Sequence, residues 1–345
     1  MAQSKLAAMG LHLPKVIFGT SGLGNLFTAL DDDIKLQIVK ESIDQSALPA
    51  VFDSAGKYGA GLALESIGRC LRTLQVPQQS VIISNKLGWY RVPLTTPEPT
   101  FEPGVWKNLQ HDAVQKISYT GIIECFEQGN ELLGGYHPQM VSVHDPDEYL
   151  ATAANAREEE KLYQDILDAY KALHDLKAQG KVQAIGVGAK NWRILKKVAM
   201  DVELDWVMIA NSMTIHYHPA ELLAFMEELK NKGVYIINSA IFHAGFLIGG
   251  THYDYKLIQP DNEEHKAIFH WREQFFETCS QFQVKPAEAC ARFSLSAPGV
   301  GSLALNTTNP SRIKQNVDLA NAQIPAAFWE AMRNKGLISA GYSYL

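Results

Sequence analysis

The chain has 345 residues, 46% of them hydrophobic and 20% charged, and a formal net charge of −6. That balance is ordinary for a globular protein, offers no broad basic surface for nucleic acid, and contains no run of about eighteen apolar residues that would span a bilayer. The expectation is a cytoplasmic protein, a monomer or small homo-oligomer, with a small-molecule partner and neither a nucleic-acid nor a membrane partner.

In chain order, the first β-branched run is "KVIFG" near residue 15, followed by the amphipathic "DDDIKLQIVKESIDQ". The pattern continues with "AVFD" at 50 and "LESIGRCLRTL", then "VIISNK" at 81 and a proline-rich insertion, "RVPLTTPEPTFEPG". "MVSVHD" at 140 precedes "YQDILDAYKALHDLKAQG"; "AIGVG" at 184 and "WVMIAN" at 206 precede "PAELLAFMEELKNKG". "VYIINS" at 234, a Gly- and Tyr-rich stretch and "VGSLALN" at 300 complete the series. The short runs lack polar–apolar alternation, as expected of strands buried on both faces, and the longer segments repeat apolar residues three and four apart, as helices do. Eight strand–helix units predict a (β/α)8 TIM barrel over residues 1–345 as a single domain, with long loops at its C-terminal mouth, where barrel active sites are built. The charge run "NAREEEKLYQD" reads as a solvated helix start.

Asp53 follows the second predicted strand, Lys86 ends the third and His144 ends the fourth, so a barrel would carry all three to one mouth; Tyr58 lies in the turn after Asp53. Each alone has an ordinary structural explanation, but together they form a proton-transfer set. A phenol of pKa ~10 moves protons poorly at neutral pH unless a cation favours the phenolate. Lys86 would supply that cation and Asp53 would hold it. His144 would orient the reacting oxygen beside Tyr58.

These four residues, with "GTSGLGN" at the first strand, "FDSAGKYGAGLALESIGRCLR", "SNKLG", "VSVHDPD", "AIGVG" and "KPAEACARFSLSAPGVGSLALNTTNPSRIKQN", resemble the aldo-keto reductases in the right order over roughly residues 14 to 318. "VHDPD", "IGVG" and "NSAIFHAGFL" make the sugar 1-dehydrogenase branch the most similar. The resemblance implies a barrel enzyme with an Asp53, Tyr58, Lys86, His144 tetrad and a nicotinamide cofactor. It places Gly19, Thr20, Ser21, Asp53, Asn211, Ser239, Asn306, Thr307, Arg312, Gln315 and Asn316 at that cofactor. Asn306 and Gln315 stand where NADPH-preferring relatives carry lysine and glutamate, so NAD is favoured over NADP. Gly188 and Ala189 replace the Ser-Asn pair that commonly holds the carboxamide, a duty Asn211 would then take over.

The implied reaction is oxidation of an aldose, of L-fucose or D-threo-aldose type, at its anomeric hydroxyl. Substrate contacts fall to Tyr58, Trp89, His144 and Asp145, with Tyr90, Trp106 and Asp147 as further candidates. The alternatives are an NADPH-dependent aldehyde or ketone reductase and a non-catalytic, nicotinamide-binding regulatory barrel. A metal-dependent hydrolase would need "HYH" at 216 to 218 or "HDPD" at 144 to 147 as ligands, but the former reads as a helix start before Pro219 and no metal site is expected. A short-chain dehydrogenase would need a lysine four residues after a tyrosine, which is absent. Cys70, Cys125, Cys279 and Cys290 form no C-x-x-C pair and no Cys-His cluster at zinc spacing, and are expected to be reduced thiols.

Overall fold

The computed structural model describes residues 4–46, 49–254 and 256–345. Eight parallel strands close into a barrel: β1 (Val16–Gly19), β2 (Ala50–Ala55), β3 (Val81–Leu87), β4 (Met140–His144), β5 (Ala184–Ala189), β6 (Trp206–Ala210), β7 (Tyr235–Ser239) and β8 (Val300–Leu305). Each pairs with its neighbour in sequence, and β1 also pairs with β8, which leaves the barrel without an edge. All eight sequence runs are barrel strands.

The absence of alternation has a direct cause. Ile17, Val51, Ile82, Met140, Ala184, Trp206 and Ile237 fill the lumen, while Val16, Phe52, Ile83, Val141, Ile185, Val207 and Ile236 bury themselves under the surrounding helices. Leu6, from the short helix Lys5–Ala8, and Leu11 close the lumen at its lower end. Helices over Asp32–Asp44, Leu62–Thr73, Ala156–Ala178 and Ala220–Asn231 match the four amphipathic segments. The charged start of Ala156–Ala178 is capped by Asn155, whose side chain accepts from Glu158 N at 3.1 Å.

The insertions contain more order than their loop-like sequences suggest. The one after β3 is an antiparallel hairpin, Trp89–Pro93 against His111–Gln115, with the proline-rich stretch as its tip. Pro93 sits at the end of its strand, where a missing N–H is tolerated. After β7, His252–Tyr253 pairs with Lys256–Leu257. The four cysteines are buried and unbridged. No helix among the described residues is long and apolar enough to cross a membrane.

Candidate active site

The upper lumen is built from strand register. Gly19 pairs with Asp53, Ala55 with Lys86, Lys86 with Ser142, and His144 with Gly188, so the inward side chains of β2, β3 and β4 rise at similar height. The Lys86 ammonium forms an ion pair with the Asp53 carboxylate and donates to the Tyr58 hydroxyl at 3.3 Å. Asp53 and Lys86 are each 3% exposed, so this pair is effectively dry. The His144 ring meets the Tyr58 ring edge-on, with centroids 5.5 Å apart and an interplanar angle of 81°. Its Nε2 lies 3.4 Å from Asp145 Oδ2, and its Nδ1 is buried with no hydrogen-bond partner among the described residues.

Tyr58 is placed by two glycines. A Cβ at Gly24 would stand 2.7 Å from the Tyr58 carbonyl, and one at Gly59, whose φ is 63°, would stand 2.2 Å from Gly24 O. The turn after β1 can therefore pass backbone to backbone against the turn after β2, which only glycines permit at this distance. Ala63 N then donates to Tyr58 O at 3.2 Å, joining the turn to the helix Leu62–Thr73.

Burial opposes the charge on Lys86, yet Asp53 and Tyr58 outweigh it and raise its pKa, so the ammonium is permanent. Burial pushes the Tyr58 phenol up to about 12. Lys86 pulls it down, as expected from the sequence, but Asp53 and Asp145 push with the burial. The expectation that Lys86 makes this phenol acidic is thus corrected: its effect has the predicted sign but does not win. His144 is held well below the usual histidine range by burial and by Lys57, Lys86 and Lys190, so it is a neutral ring. Burial and Glu148 raise the Asp145 carboxyl, to about 7, against the pull of Lys57 and Lys190.

Apart from Asp53 on β2, the residues assigned by sequence to a cofactor lie on or just after β6, β7, β8 and β1, along the remaining arc of the mouth. Thr20 donates to Asp53 O at 3.0 Å, and Ser21 accepts from the Asn306 side chain at 2.9 Å, bridging the ends of β1 and β8. Thr307 accepts from Asn309 N, and Asn309 caps the turn at Ser311 N at 3.0 Å; Arg312 and Gln315 follow as exposed residues and Asn316 is half-buried. Asn211 has a left-handed φ of 59°, bonds through its N–H to Ser239 O at 3.3 Å, and keeps its side-chain oxygen buried with no partner among the described residues. Ser239 itself donates to Ile209 O at 3.4 Å. Gly188 and Ala189 present no side-chain donor, so the orphaned Asn211 oxygen is the group at this end suited to a carboxamide N–H. The arrangement fits a nicotinamide dinucleotide.

On the other side, Trp106 stands 6.0 Å from the Tyr58 ring and stacks on Phe101 at 6.3 Å; Phe101, 5.7 Å from Trp89, went unnoticed in the sequence. Tyr90, next to Trp89 on a strand, points the other way and lies under Lys116 at 4.4 Å, so it is not part of this wall. Asp147 spends one oxygen on Lys190 N and Asn191 N. His216 bonds Tyr253 OH at 3.1 Å; His218 bonds Thr214 O at 3.1 Å and accepts from Ser339 N at 3.0 Å. Both histidines thus serve local structure.

The sequence profile of the Aldo/keto reductase family matches residues 15–336. The chain is 26% identical to D-threo-aldose 1-dehydrogenase of Pseudomonas sp, covering 96% of this chain and 97% of that protein. It is 24% identical to pyridoxal 4-dehydrogenase of Microbacterium luteolum, covering 97% of each. Its fold is similar to that of an aldo-keto reductase from Bacillus halodurans in the holo form, with a TM-score of 0.70 at 16% identity over 99% of this chain and 97% of that one. With its closed eight-stranded barrel and a family match that spans nearly the whole chain, this protein belongs to the aldo/keto reductase family of nicotinamide-dependent oxidoreductases.

Proposed function

We propose that this protein oxidises the anomeric C1 hydroxyl of an aldose, of L-fucose or D-threo-aldose type, to the lactone, with Asp53, Tyr58, Lys86 and His144 as its catalytic set. The observation that carries the reading is the buried Lys86 ammonium, which bonds both the Asp53 carboxylate and the Tyr58 hydroxyl. In a ring-closed sugar, C1 behaves as a secondary-alcohol carbon. Tyr58 in its phenolate form takes the O–H proton and becomes a neutral phenol as C1 gives up hydride, and the adjacent Lys86 ammonium favours the phenolate that must form beforehand. Neutral His144 holds the same oxygen by a hydrogen bond and thereby sets which face of C1 is presented. Asp145, beside His144, is an acceptor for a neighbouring sugar hydroxyl, while Trp89 and Trp106 cover an apolar ring face.

Bound NAD, in its oxidised form, supplies the hydride acceptor together with a cationic ring. Asn211 would hold its carboxamide end, and Ser239 with the backbone of "IFHAGF" would contact its pyrophosphate. Gly19, Thr20, Ser21 and Asp53 would line its path, and Asn306, Thr307, Arg312, Gln315 and Asn316 would hold the adenosine end. NAD rather than NADP fits the uncharged Asn306 and Gln315.

A second reading has a specific observation behind it. Trp106, 6.0 Å from the Tyr58 ring and backed by Phe101, adds an aromatic surface beside the proposed proton acceptor that suits a planar heteroaromatic substrate such as pyridoxal. A single panel separates the readings: L-fucose, further aldoses and pyridoxal with NAD, and simple aldehydes with NADPH, followed at the nicotinamide absorbance. The aldose reading requires the highest kcat/KM for an aldose with NAD; turnover of aldehydes alone, or no turnover of any substrate, would sink it.

A further inference from the structure

Lys57 directly precedes Tyr58 and is 5% exposed, yet it is no member of the proposed catalytic set and acts on His144 and Asp145 through its charge alone. Its ammonium lies 2.8 Å from Glu102 Oε1 in the insertion after β3, and 2.8 Å from Glu148 Oε2 and 3.7 Å from Asp145 Oδ2 in the turn after β4. Three loops therefore meet on one buried cation. Glu102 has a left-handed φ of 45°, uncommon for a residue that is not glycine, Asn or Asp, and its second oxygen accepts from Trp106 Nε1 at 2.7 Å. At its other side the same segment is laced to the turn after β1: Phe27 N bonds Val105 O at 2.9 Å, and Lys107 N bonds Asn25 O at 3.0 Å.

We infer that Lys57 is a positioning residue that clamps segment 94–110 as a strap across the mouth, fixing Trp106 against Tyr58 and thereby setting the wall that selects the substrate. The inference rests on the aldose reading for the identity of that substrate, but not for the clamp itself. A buried cation satisfied by carboxylates from two other loops costs a great deal to remove from one side only, because Glu102 then loses its ion-pair partner, while Glu148 keeps Lys190 at 2.6 Å. Lys57 does not reach the arc of Asn211, Ser239 and Asn306, so the cofactor should not sense its loss.

The test uses three full-length variants. Lys57→Met keeps the aliphatic stem, Lys57→Arg keeps the charge, and Glu102→Gln weakens only the half-exposed end of the clamp, so that it folds even if Lys57→Met does not. Amide exchange at Phe27, Val105 and Lys107 should accelerate by about tenfold or more in Lys57→Met and Glu102→Gln, stay near wild type in Lys57→Arg, and leave the barrel strands protected in all three. With NAD and L-fucose, KM should rise about tenfold with kcat far less affected, and NAD affinity should not move. Wild-type exchange at those amides in the folded variants would overturn the clamp. Faster exchange with an unchanged KM for L-fucose would overturn the substrate wall. If the wild type oxidises no aldose, the functional reading fails by that result, and the exchange arm still decides the clamp.

Discussion

Replacing Lys86 by methionine removes the one cation that contacts the Tyr58 oxygen among the described residues, while retaining a long apolar stem. At the observed 3.3 Å, attraction between the ammonium and the Tyr58 phenolate that accepts the substrate proton is ~5 kcal/mol at an effective dielectric of ~20, which corresponds to a factor of ~10³ or more in the population of that phenolate. The buried Asp53 charge, left without its partner, adds repulsion in the same direction. Aldose oxidation at neutral pH should therefore fall by ~10³-fold. The sign of the pH effect follows from the folded phenol, which burial already pushes up to about 12 and Lys86 pulls down. Loss of Lys86 moves that pKa further up, so the rising limb of the rate profile shifts to higher pH. The deficit should stay constant while both proteins are on their rising limbs, and narrow only where the wild type levels off first. Breaking the buried pair should also cost ~3–5 kcal/mol of stability, part of which Asp53→Asn in the same chain should restore. The assay is NAD-dependent oxidation of L-fucose across pH, at a temperature where circular dichroism shows the variant folded, with urea unfolding for the stability arm. A folded Lys86→Met protein within about tenfold of wild type at pH 7, with a superimposable pH profile, would refute the assignment of Lys86.

Gly24→Ala forces a Cβ against the Tyr58 carbonyl, where the obstacle is backbone and cannot swing away; stability should drop by ~1–3 kcal/mol in urea unfolding, and displacement of Tyr58 should cost ~10²-fold in rate. NAD should bind more tightly than NADP in a tryptophan-fluorescence titration, and Asn306→Lys should tighten NADP about tenfold through a charge-assisted contact to its extra phosphate. Because burial and three lysines hold His144 well below the usual range, its imidazole should remain neutral from pH 6 to 9; a nitrogen chemical shift that titrates near 6.5 would contradict this. The same depression means that stability drawn from His144 is lost as pH falls through about 6.5, where the unfolded chain takes up a proton that the folded one refuses.

The barrel was legible because its strands are buried on both faces, and such runs as "VIISNK" and "AIGVG" advertise that burial without help from their partners. Asp53, Lys86 and His144 were legible for a related reason: each ends a strand, and parallel register carries strand ends to one height. The hairpin after β3 was hidden because its second strand, His111–Gln115, is short, polar and separated from Trp89–Pro93 by a proline-rich tip. Lys57, Glu102 and Glu148 belong to three loops far apart in sequence, so nothing local marks their meeting. The pKa of Tyr58 was misread in balance rather than in sign. Composition cannot reveal that the phenol lies deep enough for desolvation to exceed the pull of an adjacent ammonium.

Tyr58 is the residue proposed to accept the proton in oxidation of an aldose. Tyr58→Phe preserves the ring that contacts Trp106 and His144 and deletes only the hydroxyl bonded to Lys86. The decisive measurement is the rate of NAD-dependent L-fucose oxidation by this variant, with substrate deuterated at C1 to confirm that hydride transfer limits the wild type. The expected result is a folded protein that binds NAD normally and oxidises L-fucose ~10²- to 10⁴-fold more slowly. Wild-type turnover by Tyr58→Phe, with the C1 isotope effect present, would contradict it.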